Sequence, residues 1–281
     1  MHIITKTTGD KEQFSQKKLE RSLRRAGASK KVAKDIVEKA IQQQEDFRTT
    51  QDVHRFALRL LKQKERPVAG RYNLKTAIMD MGPSGYPFEK FVAEIFRAQG
   101  YETETNLILK GRCVNHEIDV LAQNDTEAHI IECKFHNNKG VKSDVKTALY
   151  VKARYDDLVE GRKDNPSASG EKKTDMWIVT NTLFTQDALK YAKCSGVSMM
   201  SWGYPGEESL ARMVDKLKLH PITALTRISR GQKQRLAESG LVLCRDVREK
   251  RSLLKQAGIK QRDEEKVIGE AEAICALEVL I

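Results

Sequence analysis

Residues 116–134 have the sequence HEIDVLAQNDTEAHIIECK. Two stretches rich in apolar residues flank Asn124-Asp125, a pair typical of a tight turn, so we expect two neighbouring antiparallel strands there. Asp119, Glu132 and Lys134 fall inside these strands, where a half-buried hairpin favours apolar side chains. The three charges therefore either decorate an exposed face of the sheet or form a functional site.

The alternation of side chains predicts which charges meet. Alternate residues of a strand share a face, so Glu132 and Lys134 point one way and Cys133 points the other. Pairing of the two strands across the turn brings Asp119 beside Glu132. Two partly buried carboxylates repel each other, and burying them is costly unless a cation lies between them.

Mg²⁺ is the expected cation, because it is a hard ion that takes oxygen ligands and retains bound waters. Asp119 and Glu132 would supply carboxylate oxygens, and the backbone carbonyl of Cys133 would add another. Lys134 would then face a metal-bound water or a phosphate oxygen, an arrangement that suits metal-assisted hydrolysis of a phosphodiester. The spacing alone leaves a second interpretation open, since exposed sheet faces often carry Glu and Lys.

The surrounding sequence predicts a mixed sheet. A helix is expected from about Pro87, followed by three strands, a helix from about Ser143 to Glu160, and then a strand, a helix and a last strand. This order is a meander followed by crossover units, so we expect an α/β (α+β) fold with a mixed sheet and helices on both faces. The five strands are expected at residues 101–109, 114–122, 128–135, 175–181 and 197–202.

The charged residues and their surroundings resemble the PD-(D/E)XK nuclease superfamily, and within it the Mrr-like restriction endonucleases. Asp119 and the run Glu132-Cys133-Lys134 are preceded by PFEKFVAEIFRAQGYETE (87–104) and followed by IVTNTLFTQDALKYAKCSGVSMMSW (178–202). The resemblance covers about Gly85 to Trp202 and implies a restriction-endonuclease-like α-β-β-β-α-β core. One departure is Val-Asn-His-Glu-Ile before Asp119, where Mrr proteins commonly have a glycine-rich approach.

The resemblance also implies roles for single residues. Asp119 and Glu132 match the metal-binding acids, Lys134 the catalytic lysine, and Glu89 the first-helix glutamate that completes the metal site. His116 and Glu117 are weaker candidates, for which a structural or solvated role is favoured. Four basic residues after the core strands either contact backbone phosphates or form an ordinary solvated helix face: Lys142, Lys146, Lys152 and Arg154.

The first 82 residues resemble an ATP-cone, the regulatory nucleotide-binding domain of ribonucleotide reductases and their repressors. IITKTTGDKEQFSQKKL (3–19) matches its opening strand, glycine turn and first helix, and TTQDVH (49–54) matches its Thr-x-Asp-x-His region. The resemblance implies ATP or dATP as an allosteric effector. Thr7 and Thr8 replace the usual Arg and Asp, which leaves nucleotide binding open. The implied nucleotide-binding residues are Lys6, Lys18, Thr50 and His54, and Thr50 is also the expected N-cap of a helix.

The charge divides the chain into three parts. The 50 Lys and Arg residues exceed the 39 Asp and Glu residues by 11, with the excess in residues 1–83 (+9) and 216–281 (+5), whereas residues 84–215 carry −3. We expect an ATP-cone-like regulatory domain, a catalytic domain and a basic helical region over these ranges. Basic flanks favour a polyanionic partner, but ordinary lysine-rich helices account for the charge equally well.

The last part is expected to be helical, with Gly240 and Gly258 ending helices. A helix-hairpin-helix-like DNA-binding module and a dimerisation or packing element explain it equally well, although a diagnostic pair of hairpin glycines is missing. The five scattered cysteines form no CxxC pair, which predicts a reducing compartment. No apolar stretch is long enough to span a membrane, so we expect a cytoplasmic protein without a membrane partner.

Together these observations predict a homo-oligomeric, Mg²⁺-dependent DNA endonuclease, regulated by ATP or dATP and acting in restriction of foreign DNA. The alternative is a nucleotide-sensing DNA-binding regulator whose nuclease fold does not cut. Three charges held at a cost inside strands favour the enzyme, and RNA is a less favoured substrate. The sequence contains neither a phosphate-binding Gly-x-x-x-x-Gly-Lys loop nor a GxGxxG after a strand, which argues against a motor ATPase and a dinucleotide enzyme.

Overall fold

Two separately packed units contain the helices and strands of the chain. The computed structural model describes residues 2–6, 9–163 and 172–276, so Thr7, Thr8 and the residues 164–171 lie outside them. One unit, which we call the flanking unit, joins Met1–Ile78 with His220–Ile281. The other, the central unit, comprises Met79–Leu219.

Nine strands and twelve α-helices make up the described ranges. The strands are β1 (Ile3–Thr5), β2 (Lys11–Gln13), β3 (Glu102–Lys110), β4 (Asn115–Gln123), β5 (Glu127–Lys134), β6 (Lys142–Ser143), β7 (Lys173–Thr180), β8 (Leu183–Phe184) and β9 (Ser198–Met200). The helices are α1 (Gln16–Arg25), α2 (Lys30–Gln42), α3 (Thr50–Lys64), α4 (Arg66–Tyr72), α5 (Leu74–Met79), α6 (Tyr86–Arg97), α7 (Val145–Lys163), α8 (Gln186–Ser195), α9 (Leu210–Leu217), α10 (Arg230–Glu238), α11 (Ser252–Gln256) and α12 (Gln261–Ala276).

The central unit is built on a five-stranded sheet in the order β3-β4-β5-β7-β9. β3, β4 and β5 are antiparallel neighbours, whereas β7 runs parallel to both β5 and β9. The turn between β4 and β5 is closed by the Asn124 side chain, whose Oδ1 accepts the N–H groups of Thr126 and Glu127 at 3.0 and 2.8 Å. The predicted mixed sheet and the predicted turn are thus confirmed.

Apolar side chains hold the sheet and its helices in place. α6 buries Phe88, Phe91, Val92 and Ile95 at the helical spacing expected from the sequence. α7 packs against β7 and α8 against β9, and their shared core includes Ile178. Each buried side chain of this size contributes roughly 1.5–3 kcal/mol. This packing fixes the positions of β4 and β5, which carry the charges of interest.

Some elements of the central unit were not predicted. β6 and β8 have two residues each and pair in parallel, and such short strands leave no alternation in the sequence. α9 follows the last predicted strand and buries Leu210, Met213 and Val214.

The flanking unit begins with a hairpin followed by helices. β1 pairs with β2, and the turn passes through Gly9 at φ +91°, a conformation that favours glycine. Thr49, rather than the predicted Thr50, is the N-cap of α3: its Oγ1 accepts the Asp52 N–H at 3.2 Å, and the Asp52 carboxylate accepts the Thr49 N–H at 2.8 Å. Thr50 is instead the first residue of the helix, because the reciprocal capping box needs an acceptor three residues before Asp52.

Helices from the two ends of the sequence pack together in the flanking unit. α4 lies against α12, and a Cβ added at Gly70 would come within 2.8 Å of Ile274 Cδ1 and 2.9 Å of the Ala224 carbonyl oxygen. The Thr223 hydroxyl donates to the Ala77 carbonyl at 2.6 Å. The segments expected as separate domains, 1–83 and 216–281, therefore contribute to one unit, and their separate functions remain predictions.

Gly240 and Gly258 end α10 and α11, as predicted, with φ values of +86° and +80°. Across the described ranges, no helix combines the length and the apolarity that crossing a membrane requires.

Candidate active site

Asp119 and Glu132 lie where β4 and β5 stop pairing. The last backbone pair of the ladder joins Val120 to Ile131, so the same register would place Asp119 opposite Glu132. Beyond that pair, the Asp119 carboxylate replaces a backbone acceptor, and its Oδ2 accepts the Cys133 N–H at 2.7 Å. The aspartate side chain is therefore fixed against β5 on the side of the predicted metal ligands.

Burial and like charges raise the pKa of Asp119. Burial has the largest effect and the charge of Glu132 adds to it, while the Cys133 N–H and the Arg154 guanidinium act in the opposite direction. The resulting pKa is about 6, against an ordinary value of 3.8. The ionised form of Asp119 is thus held in a place that disfavours it, which is common for carboxylates at functional sites.

Glu89 approaches the same carboxylates from the first turn of α6, which begins at Tyr86 with Pro87 as its second residue. Burial has the largest effect on the pKa of Glu89, followed by the nearby charges of Asp119, Glu117 and Glu132, and together they raise it to about 7. The structure therefore brings together Glu89, Asp119 and Glu132, which are separated by up to 43 positions in the sequence.

Arg154 of α7 supplies the cation that is found among these carboxylates. Its Nη1 donates to Glu132 Oε2 at 2.6 Å and to the Glu117 carbonyl at 3.0 Å, and its Nη2 donates to the Tyr150 hydroxyl at 2.9 Å. Only 13% of the Arg154 side chain and 14% of the Glu132 side chain are exposed. We expected Arg154 either to contact a phosphate or to lie on a solvated helix face. Neither expectation describes it, because it binds the Glu132 carboxylate beside Asp119 instead.

The other basic residues grouped with Arg154 lie elsewhere. Lys142 belongs to β6 rather than to the helix, and Lys152 pairs with Asp156 one turn away. Lys146 is exposed on α7.

Lys134 ends β5 and is exposed to solvent. Its backbone carbonyl accepts the Thr180 hydroxyl at 2.7 Å. The next residues are held by Asn181, whose Oδ1 accepts the His136 N–H and whose Nδ2 donates to the His136 carbonyl, both at 2.9 Å. These hydrogen bonds were not predicted from the sequence. Their signal in the sequence is the polar pair Thr180-Asn181 at the end of an apolar strand. They fix the backbone that carries Lys134 and leave the ammonium group free to reach a substrate.

Cys133 lies between Glu132 and Lys134. Burial and the charges of Asp119, Glu89 and Glu132 hold the pKa of its thiol well above the ordinary value, so it stays a thiol rather than a nucleophilic thiolate. Because its N–H points to Asp119, and the N–H and C=O of a strand residue project to the same side, its carbonyl also faces β4.

His116 and Glu117 have separate positions. His116 Nε2 lies 2.8 Å from Asp157 Oδ2, and Asp157 also accepts the Cys113 N–H at 2.8 Å, so this pair fastens the β3–β4 turn to α7. Glu117 is exposed on β4 and touches the site through its backbone carbonyl and its charge.

The donor set fits a hard divalent cation in its chemistry. Burial and then mutual repulsion raise the pKa of two of the three carboxylates, so the cluster gains stability when a cation lies between them. Within the described ranges, no group of three or more His, Cys, Asp or Glu side chains is already arranged to hold a metal ion. Two carboxylates and waters are sufficient for Mg²⁺, so Asp119 and Glu132, with Glu89 and the Cys133 carbonyl nearby, remain suitable ligands.

Only some of the residues predicted to bind nucleotide lie close together. Lys6 and Lys18 both approach Glu12 of β2, at 3.4 and 2.6 Å. The Thr5 N–H donates to the Arg48 carbonyl at 2.9 Å, which places the hairpin beside the start of α3 and Thr50. His54 is one turn further along α3 and stacks on Tyr72 with ring centroids 4.7 Å apart and planes at 11°.

Two protein-family models match parts of the chain. Residues 82–202 match the family described as Restriction endonuclease (Mrr_cat), and residues 220–275 match the family described as AF1548-like, C-terminal. Residues 82–202 therefore form a restriction-endonuclease-like domain, which indicates a nuclease.

Two relatives are similar over nearly their whole length. An uncharacterised protein of Archaeoglobus fulgidus is 38% identical over 187 residues, which are 65% of this chain and 99% of that protein. The crystal structure of AF1548, a protein of unknown function, matches with a TM-score of 0.55 and 36% identity, covering 68% of this chain and 98% of that one. Can2 from Sulfobacillus thermosulfidooxidans, solved with cyclic tetra-adenylate, matches with a TM-score of only 0.30 and 17% identity over 66% of this chain and 48% of its own.

Proposed function

The chain belongs to the AF1548-like family, and from that premise we propose that it is a Mg²⁺-dependent DNA endonuclease. The observation that carries the proposal is a cluster of three carboxylates, Glu89, Asp119 and Glu132, in which Glu132 binds the Arg154 guanidinium. An exposed lysine follows two residues after Glu132. A carboxylate cluster with too few cations, next to a free ammonium group, suits the binding of a divalent ion and a phosphodiester. We further propose restriction of foreign DNA as the setting.

Each residue has a separate part in the proposed reaction. Asp119, Glu132 and Glu89 would hold Mg²⁺ with the Cys133 carbonyl, and when bound the ion would polarise the phosphoryl oxygens and favour ionisation of a bound water. Water attacks phosphorus in line with the leaving oxygen. Lys134 stabilises the charge that grows on the non-bridging oxygens, because its ammonium is exposed at the end of β5. Arg154 orients the Glu132 carboxylate through its hydrogen bond.

The main alternative is a DNA-binding regulator that does not cut. In such a protein, nothing would maintain partly buried carboxylates whose pKa is raised, since apolar residues would stabilise the strands better. This difference favours the enzyme over the regulator.

The test is cleavage of supercoiled plasmid by the full chain in MgCl₂, with EDTA as the control for metal dependence. Wild type should nick or linearise the plasmid, while Lys134→Ala should cleave far more slowly because the lysine makes its contact in the transition state. Lys193→Ala, which removes an exposed lysine from α8, is the matched control and should cleave as wild type does. Absence of cleavage on unmodified and methylated plasmid, with or without ATP, would refute the proposal; cleavage of RNA alone would refute DNA as the substrate.

Regulation by ATP or dATP is a second proposal, supported by the convergence of Lys6 and Lys18 on Glu12. A triphosphate would have to replace Glu12 as the partner of these lysines. Saturating ATP or dATP should therefore raise the unfolding temperature of wild type, and more strongly that of Glu12→Gln. Sedimentation velocity on the same samples would show whether the predicted homo-oligomer forms. An unchanged unfolding temperature with both nucleotides would contradict the proposed effector site.

A further inference from the structure

A cleft of about 420 Å³ lies in the flanking unit where α10 and α12 begin. We call it the hairpin cleft, and among its described lining residues five are cationic, against a single acid, Asp263. The cationic residues are Arg66, Arg227, Lys260, Arg262 and Lys266. The N–H groups of the first turns of the two helices add partial positive charge at the same place.

Hydrogen bonds fix the walls of the hairpin cleft. The buried Glu270 carboxylate accepts the N–H of Thr226 at 2.8 Å and that of Arg227 at 3.1 Å, so the loop before α10 is tied to α12. The Gln232 side chain completes the N-terminal cap of α10 with Ser229 and donates to the Gly258 carbonyl at 2.8 Å, which ties α10 to the α11–α12 turn. The backbone of the cleft is therefore preformed.

Four of the five cations of the hairpin cleft are available to a ligand. Lys260, Arg262 and Lys266 are exposed. Within the described part of the chain, Arg66, Lys260 and Lys266 make no ion pair, and Arg262 reaches only Asp263 at 3.8 Å. Arg227 is the exception, because its Nε lies 3.9 Å from the buried Glu270 carboxylate. Cations that a fold leaves unpaired on fixed walls repel each other, and an anion placed between them removes that repulsion.

The positive surface continues onto α3. A second cleft, which we call the α3 cleft, is lined by Arg55, Leu58, Arg59, Lys62, Gln63 and Arg66. Arg66 lines both clefts, so cations from residues 55 to 66 and from residues 227 to 266 share one surface. This juxtaposition depends on the packing of α4 against α12.

The two units differ in net charge. The flanking unit contains 31 Lys and Arg residues and 18 Asp and Glu residues, a net charge of +13, whereas the central unit contains 19 and 21, a net charge of −2. The central unit, which carries the proposed active site, is thus slightly acidic. The flanking unit is the part of the chain that attracts a long polyanion electrostatically.

We propose that the hairpin cleft and the α3 cleft together bind the phosphate backbone of duplex DNA. The lining residues include no aromatic side chain on which an unpaired base stacks, which disfavours single strands. Among the residues that the structure describes, none of the large exposed apolar side chains, such as Ile3 and Ile108, lines either cleft, which disfavours insertion into a membrane surface. Lysine and arginine spread over two clefts, without a reader of base edges, bind duplex phosphates in many sequences. This inference requires DNA binding but no cleavage.

The test is the affinity of the full-length protein for a fluorescein-labelled duplex of ~20 base pairs, measured by anisotropy in EDTA between ~50 and ~200 mM KCl. Lys260→Glu/Lys266→Glu and Arg59→Glu/Lys62→Glu should each weaken binding by at least about tenfold and reduce the slope of log K against log salt by about two. Lys30→Glu/Lys31→Glu makes the same charge change at exposed lysines that line neither cleft, and it should weaken binding less than about threefold. Unfolding temperatures should be equal across the variants.

Three outcomes would overturn the inference. The first is a pair of cleft variants that bind like the control, the second a salt slope that no variant changes, and the third tighter binding of duplex RNA than of duplex DNA of the same sequence. Plasmid cleavage by the same proteins separates this inference from the proposed function. If wild type binds DNA through the two clefts but does not cut it, the binding surface is supported and the proposed nuclease activity is refuted. If wild type cuts DNA but the cleft variants bind like the control, the nuclease activity is supported and the binding surface is refuted.

Discussion

Asp52 in the flanking unit and Asp119 in the central unit are both partly buried aspartates, and their pKa values move in opposite directions. Hydrogen bonds from the Thr49 hydroxyl, the Arg55 guanidinium and the backbone N–H groups of Thr49 and Arg48 lower the pKa of Asp52 to about 2. Asp119 accepts from the Cys133 N–H, but burial and the charge of Glu132 dominate and raise its pKa to about 6.

The difference separates a carboxylate that serves the fold from one that serves a site. Donors of α3 and its cap surround Asp52, so its charge stabilises the folded protein. Asp119 has Glu89 and Glu132 nearby and shares Arg154 with Glu132, so its charge is incompletely balanced until another cation arrives. Removing Asp119 should therefore affect chemistry more than folding, and removing Asp52 the reverse.

The largest effect is expected for Asp119→Asn. Plasmid cleavage should fall roughly a thousandfold, because one ligand of the proposed cation loses its charge. In EDTA the variant should unfold at the same temperature as wild type or a higher one, since Asn still accepts the Cys133 N–H and the repulsion with Glu132 is gone. Circular dichroism melting beside the cleavage assay checks both parts. A clear fall in unfolding temperature would show that Asp119 is a structural residue like Asp52.

The next effect tests the guanidinium at the site. Arg154→Met leaves Glu132 partly buried without its partner, which should cost about 3 kcal/mol of unfolding free energy in EDTA. MgCl₂ should restore part of that loss, so the Mg²⁺-dependent rise in unfolding temperature should be larger for the variant than for wild type. Lys190→Met breaks a pair with Asp187 that is almost fully solvated and should cost less than about 1 kcal/mol. A Mg²⁺ effect no larger than in wild type would contradict the proposed cation site.

The packing of the flanking unit can be tested by replacing each of two glycines with alanine in separate variants. Gly70→Ala brings a Cβ to 2.8 Å from Ile274 Cδ1 and 2.9 Å from the Ala224 oxygen, so it should destabilise the protein by about 2 kcal/mol. Gly269→Ala on α12 meets nothing within 4 Å and should stabilise it by about 0.5–1 kcal/mol through helix propensity. Urea unfolding of both variants measures the difference. Equal effects would mean that α4 does not lie against α12.

The sequence predicted those parts of the fold whose pattern is long and local. Three alternating strands, the Asn124 turn and the stripe of α6 are visible because each repeats its period several times. β2 (KEQ) is polar and three residues long, so nothing distinguishes it from a loop. The packing of α4 against α12 brings together positions about 200 residues apart in the sequence. Gly70, which allows the close approach, is the only local sequence feature that we connect with it.

The candidate site was predictable only in part for the same reason. Asp119, Glu132 and Lys134 follow from strand alternation and one turn. The place of Arg154 depends on which side of α7 faces the sheet, and apolar residues on several sides of that helix, among them Ala148, Leu149, Tyr150 and Val151, leave its orientation undefined. Physical periodicity therefore predicted the carboxylates but not the cation that they bind.

The smallest predicted effect concerns Asp52, and it has the clearest pH dependence. Asp52→Ala removes the acceptor of the α3 capping box and should cost about 1 kcal/mol at neutral pH. Because folding lowers the pKa of Asp52 from its ordinary 3.8 to about 2, the contribution is complete above pH 3.8 and is lost as the pH falls through 2. The difference in unfolding free energy between wild type and variant should thus be constant from pH 7 to 5 and shrink toward pH 2. A difference that grows on acidification would contradict the assignment, since it would require a carboxyl whose pKa folding raises, as at Asp119.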